Sequence, residues 1–163
     1  MNNLSVLGCG WLGKDLAASF LERGYTVKGS TTTLEKLTAL EKLGIESYLV
    51  DISEYEAFDD FLNTDILIIA ITSKNIEAYE RLIQQIQEST IQKIIFISST
   101  SVYPSLNKVI TEDDRVQDNK LSKIETLFRE NTFFETTILR FAGLFGPNRH
   151  PANWFLGRKI SHP

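Results

Sequence analysis

A glycine-rich turn near the N-terminus constrains the fold of this chain more than any other feature. Residues 4–7 form a short apolar run, and segment 8–13, which reads Gly-Cys-Gly-Trp-Leu-Gly, follows directly. In the spacing G-x-G-x-x-G the first glycine permits a tight turn, the second a close approach of a pyrophosphate, and the third close packing of the following helix. Apolar residues then recur at helical spacing until Gly24, which predicts a strand, a turn and a helix.

The N-terminus of that predicted helix is where phosphate groups are expected to bind, because its free N–H groups and its dipole attract anions. A glycine turn with a purely structural role is the alternative. The contact residues predicted for a dinucleotide are Gly8, Gly10, Trp11, Leu12 and Gly13.

Strand-like and helix-like segments alternate along the rest of the chain. Segments 66–70 and 94–97 are continuously apolar, as in parallel strands that are covered on both faces. The pattern predicts an α/β fold, a Rossmann-like doubly wound parallel sheet in three layers, with ligands beyond the carboxyl ends of the strands. Strands are predicted at 4–7, 26–28, 47–50, 66–70, 94–98 and 137–139, and helices at 12–23, 34–43, 54–62, 76–88 and 121–131.

Size and charge limit the classes of partner. A chain of 163 residues suits one domain, its net charge of −4 does not favour nucleic acid, and no apolar run approaches the roughly 20 residues of a membrane span. Cys9 is the only cysteine, so no internal disulfide can form, and no charged, cleavable leader precedes the first strand. We therefore predict a cytoplasmic protein without a metal site, in which Cys9 is a small packing residue, with a nucleophile as the alternative.

The end of the second predicted strand indicates which cofactor the chain takes. Binders of NAD usually place an acidic residue there, but this chain has none before Glu35. The hydroxyls of Ser30, Thr31 and Thr32 are suited to a ribose phosphate, with charge from Lys28 or Lys36, so NADP is predicted and NAD is the alternative. A threonine here could also cap the next helix.

Two further strand ends carry candidate cofactor contacts. Asp51 and Ile52 follow the third strand, where a carboxylate could bind the adenine amino group or cap the next helix. Small residues after the fourth strand would let the backbone lie against a ribose, and the contacts predicted there are Ala70, Ile71 and Thr72.

Two more segments resemble a known family. Residues 98–103 read Ser-Ser-Thr-Ser-Val-Tyr after the fifth strand, and residues 139–147 read Leu-Arg-Phe-Ala-Gly-Leu-Phe-Gly-Pro. Together with the glycine turn they resemble the extended short-chain dehydrogenase/reductases, and most closely the atypical NAD(P)-dependent epimerase/dehydratase-like proteins, where Gly-Pro-x-Arg-His-Pro recurs. The resemblance implies an NAD(P)-binding domain over residues 1–163, in which 146–163 begins a substrate-side segment that most members continue further.

The resemblance also implies a catalytic set. Ser99, with Thr100 beside it, matches the residue that polarises a substrate hydroxyl. Lys123 matches the family's lysine, which would contact the nicotinamide ribose or, as the alternative, lie on a solvated helix face. The family's tyrosine acid/base, however, falls on Asn119, and no tyrosine follows Tyr103. An asparagine only donates and accepts hydrogen bonds, so ordinary epimerase or dehydratase chemistry is in question.

The family's substrates suggest a sugar nucleotide or a similar small molecule. Arg149 and His150 would contact its anionic group and Trp154 would stack on it, unless this segment is a structural tail. The resemblance further implies a homodimer through helices 76–88 and 121–131, whose apolar residues could instead face the chain's own sheet. Two functions remain open: a NADP-linked oxidoreductase, epimerase or dehydratase, and a cofactor-binding protein without turnover.

Overall fold

The computed structural model describes residues 3–105 and 108–154. Six strands lie in this part of the chain: β1 (Asn3–Leu7), β2 (Thr26–Thr31), β3 (Glu46–Leu49), β4 (Ile66–Ile69), β5 (Lys93–Ser99) and β6 (Glu135–Phe141). The α-helices are α1 (Trp11–Glu22), α2 (Leu37–Glu41), α3 (Asp59–Leu62), α4 (Ile76–Gln87) and α5 (Lys120–Arg129). Three short 3-10 segments lie at Leu34–Lys36, Thr100–Val102 and Pro151–Trp154.

The strands form one parallel sheet in the order β3-β2-β1-β4-β5-β6. Leu4 of β1 is in register with Val27 of β2 on one side and with Ile66 of β4 on the other. The chain therefore changes direction across the sheet between β1 and β4, the position where open α/β sheets bind ligands. The predicted Rossmann-like doubly wound fold is confirmed.

Helices cover both faces of the sheet. On one face Tyr79 of α4, Phe96 of β5 and Phe128 of α5 are fully buried, and the rings of Phe96 and Phe128 stack with centroids 5.0 Å apart. On the other face Val6 and Val27 pack with Ala17 of α1 and Leu40 of α2. Of the apolar residues on the two helices of the predicted dimer interface, Leu82, Ile83, Ile86 and Phe128 are buried in the chain's own core. Leu127 is partly buried and packs against that core, and the homodimer stays a prediction.

Several predicted element boundaries differ from the structure, among them the end of the second strand and the start of the third helix. β2 extends to Thr31 rather than ending at residue 28, so Ser30 and Thr31 lie inside the sheet. The helix predicted at 54–62 is reduced to α3, because side chains of α4 hold the preceding loop in another conformation: Arg81 donates to the carbonyl of Ser53 and Gln85 to that of Glu56. Among the described helices, none has the length and apolar character needed to cross a membrane.

Candidate functional site

Two glycines of the turn between β1 and α1 are required by packing. Gly8 has a φ of 94°, and a Cβ there would lie 2.4 Å from Cγ2 of Ile71. A Cβ at Gly13 would lie 2.1 Å from the carbonyl oxygen of Gly8. The turn can therefore close on β4 and on α1 only without these two side chains.

Gly10 differs from its two neighbours because it is open. An added Cβ would meet nothing within 4 Å, and the backbone is extended with a φ of −74°. Gly10 is the N-cap of α1, where no side chain of the described residues caps the helix and no acidic residue occupies the first turn. Free N–H groups and open space together fit the pyrophosphate of a dinucleotide.

Ser30 supports this turn from the neighbouring strand. Its hydroxyl accepts a hydrogen bond from the N–H of Gly8 at 2.9 Å, and its carbonyl accepts one from Cys9 at 2.7 Å. The side chains of Ser30 and Thr31 are buried, so neither presents the exposed hydroxyl expected of a ribose-phosphate contact. Thr32 is the exposed member of the three.

The two lysines proposed to supply charge lie in different places. The ammonium group of Lys28 donates to the carbonyl of Asp60 in α3 and lies 5.6 Å from the ring centroid of Tyr48. Lys36 is exposed in the 3-10 turn that follows β2. Of the two, only Lys36 is free to approach a ligand at the end of β2.

A groove of about 700 Å³ runs along the carboxyl ends of the central strands. It is bordered by β1, β4 and β5 and by the loop after β3, as the fold predicts for a dinucleotide site. The structure brings together in its lining most of the predicted cofactor contacts: Gly8, Gly10, Trp11, Leu12, Thr32, Asp51, Ile52, Ala70, Ile71 and Thr72.

The structure adds two details of the groove lining that the sequence did not reveal. One carboxylate oxygen of Asp51 accepts the N–H of Ser53 at 2.9 Å, which shapes the loop and leaves the other oxygen without a hydrogen bond from the described residues. Lys74 also lines the groove and was not predicted. Its position in the sequence shortly after β4, at the ligand-binding edge of the sheet, could have identified it.

The predicted catalytic residues do not converge on the groove. Ser99 lines it, half-buried, and its hydroxyl accepts the N–H of Ser101 at 3.1 Å. Thr100 instead borders a different concavity, of about 1040 Å³, along β6. Lys123 is 57% exposed and its ammonium lies 3.2 Å from Asp118, while α5 presents Leu121 to the groove. The side chain of Lys123 thus lies on the solvent side of α5 in this structure, and its contact with the cofactor stays a prediction.

Asn119, at the position of the family's tyrosine, begins α5 as its N-cap. Its side-chain oxygen accepts the N–H of Ser122 at 2.9 Å, while the hydroxyl of Ser122 accepts the N–H of Asn119 at 3.1 Å. The side-chain amide nitrogen donates to the carbonyl of Ser101 at 3.3 Å. The reciprocal capping box and the hydrogen bond to Ser101 thus use both the oxygen and the nitrogen of this amide for local structure.

The predicted substrate contacts lie after β6. Arg149 lines the groove, with its guanidinium 4.8 Å from the ring centroid of Trp11. His150 is exposed, and its Nδ1 accepts the N–H of Ala152 at 3.2 Å, which holds the local turn. The side chain of Trp154 and residues 155–163 of the predicted substrate-side segment lie outside the described residues.

Cys9 is a packing residue in this turn. Its thiol lies 3.7 Å from the carbonyl of Val6, and burial raises the pKa of Cys9 to about 11, so the reactive thiolate is disfavoured near neutral pH. No group of three or more metal-ligating side chains occurs in the described ranges.

A buried polar network behind the groove was not predicted. Glu125 of α5 is fully buried and accepts hydrogen bonds from Ser98 at 2.5 Å and from Nη2 of Arg140 at 2.7 Å. Arg140 also donates to the phenol oxygen of Tyr103 at 2.5 Å, and these hydrogen bonds hold its pKa above the usual range. Tyr103 is thereby fixed beside β6, where it packs rather than facing the groove.

Comparison with known proteins agrees with this geometry. Residues 3–125 match the family described as the NAD binding domain of 6-phosphogluconate dehydrogenase. Protein YeeZ of Escherichia coli (strain K12) is 32% identical over 176 residues, which cover 97% of this chain and 64% of that protein. The chain thus spans about 64% of the length of this curated relative.

Solved structures share the fold. A functionally unknown conserved protein from Silicibacter pomeroyi superposes with a TM-score of 0.77 at 18% identity, over 98% of this chain and 59% of that one. UDP-glucuronic acid 4-epimerase from Bacillus cereus, in complex with UDP-glucuronic acid and NAD, superposes with a TM-score of 0.76 at 20% identity. The superposition covers 91% of this chain and 59% of that one. The glycine turn and the open Gly10 agree with the family match over residues 3–125. The chain therefore belongs to the family of the NAD binding domain of 6-phosphogluconate dehydrogenase.

Proposed function

We propose that the protein binds NADP in this groove in preference to NAD. The observation that carries the binding is the open N-terminus of α1 at Gly10, which faces the groove. The preference rests on the end of β2, where Thr32 lines the groove, Lys36 is exposed nearby, and no carboxylate precedes Glu35. A hydroxyl and a cation favour a ribose phosphate, whereas a carboxylate would repel it.

Each part of the groove suits one part of the cofactor. The N–H groups of Trp11 and Leu12 would bind the pyrophosphate, and the free oxygen of Asp51 would accept from the adenine amino group. The small side chains of Ala70 and Thr72 leave room for a ribose beside β4. A bound nicotinamide would supply hydride transfer, the chemistry for which such a domain is built.

The NADP preference can be tested with Thr32→Asp. A carboxylate at this exposed position would repel the ribose phosphate and bind the hydroxyls of NAD. We expect at least about a tenfold loss of NADPH affinity, which corresponds to about 1.4 kcal/mol of binding free energy. The affinity for NADH should change little. Titration calorimetry with both dinucleotides measures this change.

Ser30→Ala is the matched control for that substitution. Ser30 supports the glycine turn from inside β2, so its loss should weaken NADPH and NADH binding by the same factor. A wild-type protein that binds NADH more tightly than NADPH would contradict the preference.

For the whole protein we propose an oxidoreductase, epimerase or dehydratase that acts on a hydroxyl-bearing small molecule such as a sugar nucleotide. Ser99 supports this proposal, since its hydroxyl lines the groove beside the end of β5, where it can hydrogen-bond a substrate oxygen. The structural neighbour from Bacillus cereus is a UDP-glucuronic acid 4-epimerase. The cation of Arg149 at the same groove suits an anionic substrate.

A cofactor-binding protein without turnover is the second candidate, and the α5 terminus favours it. The side-chain oxygen of Asn119 takes part in the capping box, its nitrogen donates to Ser101, and Lys123 pairs with Asp118 at the surface. No tyrosine, histidine or cysteine is among the described residues that line the groove. Proton transfer to a substrate hydroxyl therefore lacks its usual donor there.

Turnover assays with NADP, NADPH and a set of UDP-sugars distinguish the two candidates. For the enzyme, Ser99→Ala should lower kcat by at least about a hundredfold because a polarising hydroxyl is lost, while NADPH affinity stays within about twofold. For the binder, the wild type should bind NADPH tightly and turn over none of these substrates. Undiminished turnover by Ser99→Ala would remove Ser99 from the proposed catalytic role.

A further inference from the structure

A tight turn after β6 lies against the glycine turn. The N–H of Arg149 donates to the carbonyl of Gly146 at 2.9 Å, and the N–H of Gly146 donates back at 3.4 Å. Asn148 closes the turn in the left-handed region, with a φ of 62°. These backbone contacts fix the position of the Arg149 backbone. We call residues 146–149 the clasp.

Trp11, the first residue of α1, holds the clasp with one side chain. Its Nε1 donates to the carbonyl of Pro147 at 3.0 Å, and its ring faces the guanidinium of Arg149 with 4.8 Å to the centroid. Gly146 lies so close that a Cβ there would be 3.0 Å from Cζ2 of the ring. A residue of the glycine turn thus fixes a segment more than 130 positions away, as the span from Trp11 to Pro147 shows.

The arrangement leaves the charge of Arg149 available. Within residues 3–105 and 108–154, Arg149 forms no ion pair, although Arg140, Lys108 and Lys123 each have one. A guanidinium that lies over an aromatic ring makes this contact without using up its N–H groups, which can still bind the oxygen atoms of a phosphate. Its place in the groove lining and over Trp11 puts this charge beside the first residue of α1.

We propose that Arg149 binds the pyrophosphate of the nicotinamide dinucleotide, and that Trp11 is the positioning residue that holds it over the glycine turn. The inference rests on the proposed function, in which this groove holds the dinucleotide. A sugar nucleotide carries the same pyrophosphate chemistry. We assign the cofactor because Arg149 lies over Trp11, the first residue of the helix whose N-terminus is the proposed pyrophosphate site.

Arg149→Met tests the phosphate contact, since it keeps most of the side-chain length and removes the charge. Binding of NADPH and of ADP-ribose, which share the pyrophosphate, should weaken by about 10- to 100-fold, as for loss of one charge-assisted hydrogen-bonding group. The salt dependence of both affinities should also decrease. Arg115→Met, an exposed arginine outside the groove, is the matched control and should change neither.

Trp11→Leu tests the positioning role. Alone it should weaken both ligands, and Trp11→Phe, which keeps a ring face but not the Nε1 donor, should recover part of the loss. In the Arg149→Met background Trp11→Leu should have less than about a twofold further effect, because the two residues act as one unit. An equal effect in both backgrounds would remove the positioning role. Thermal unfolding checks that each variant is folded.

The outcomes separate this proposal from the one on which it rests. A folded wild type that binds neither NADPH nor ADP-ribose overturns both. If Arg149→Met binds both ligands as tightly as the wild type, the role of Arg149 in pyrophosphate binding is wrong, and dinucleotide binding by the groove still stands. If Arg149→Met instead weakens only UDP-glucose binding to the NADPH-loaded protein, Arg149 serves the substrate and the cofactor assignment is wrong.

Discussion

Gly13→Ala is expected to destabilise the domain by at least about 3 kcal/mol, the upper part of the range for overpacking a rigid site. The new Cβ would lie 2.1 Å from the carbonyl oxygen of Gly8 and 3.3 Å from the side chain of Val6. Backbone cannot move aside as the end of a flexible side chain can, so α1 must shift away from β1. Urea unfolding followed by far-UV circular dichroism measures the loss, and dinucleotide binding should disappear with it.

Gly10→Ala is the matched control, three residues earlier in the same turn. Its φ of −74° suits alanine and its Cβ would project into open space, so the free energy of unfolding should change by less than about 1 kcal/mol. The same methyl group would occupy space that the pyrophosphate needs, and NADPH affinity should fall at least about tenfold. Normal binding by Gly10→Ala would place the phosphates elsewhere, and wild-type stability of Gly13→Ala would show that α1 can shift freely.

The glycine turn and the sheet order could be predicted because their causes are local. Strands such as β4 and β5 are apolar on both faces, which only a covered parallel sheet explains, and glycine spacing reports directly on backbone approach. The end of β2 could not be predicted this way. Ser30 and Thr31 have polar side chains typical of a loop, yet Ser30 is buried because the Gly8 N–H, 22 positions away, satisfies its hydroxyl.

The α5 side of the site was less predictable because it depends on the orientation of a first helical turn. Matching Lys123 to a family position assumes that the helix begins and faces the groove in the same way. Here Asn119 starts the helix through its own capping box, and Leu121 faces the groove in place of a lysine. Glu125 and Arg140 likewise resemble surface charges in the sequence, since only the folded chain brings them together.

Glu125→Leu is expected to lower the free energy of unfolding by about 3 to 5 kcal/mol, as when one partner of a buried ion pair is removed. The side chain of Glu125 is 1% exposed and that of Arg140 is 17% exposed. An arginine guanidinium keeps its proton near neutral pH whatever its neighbours, so Arg140 cannot become neutral when Glu125 is gone. An uncompensated, partly buried cation would remain, and urea unfolding measures its cost.

Two further variants identify the cause of that loss. Glu125→Leu with Arg140→Met removes both charges, so most of the stability should return, because apolar groups can replace a buried pair without an unpaired charge. Lys123→Met breaks the exposed pair with Asp118 on the same helix and should cost less than about 1 kcal/mol. If the double variant stays as unstable as Glu125→Leu, the defect is a cavity rather than a stranded charge. Since Ser98 links this network to the end of β5, a stranded charge should also displace Ser99 and weaken ligand binding before the domain unfolds.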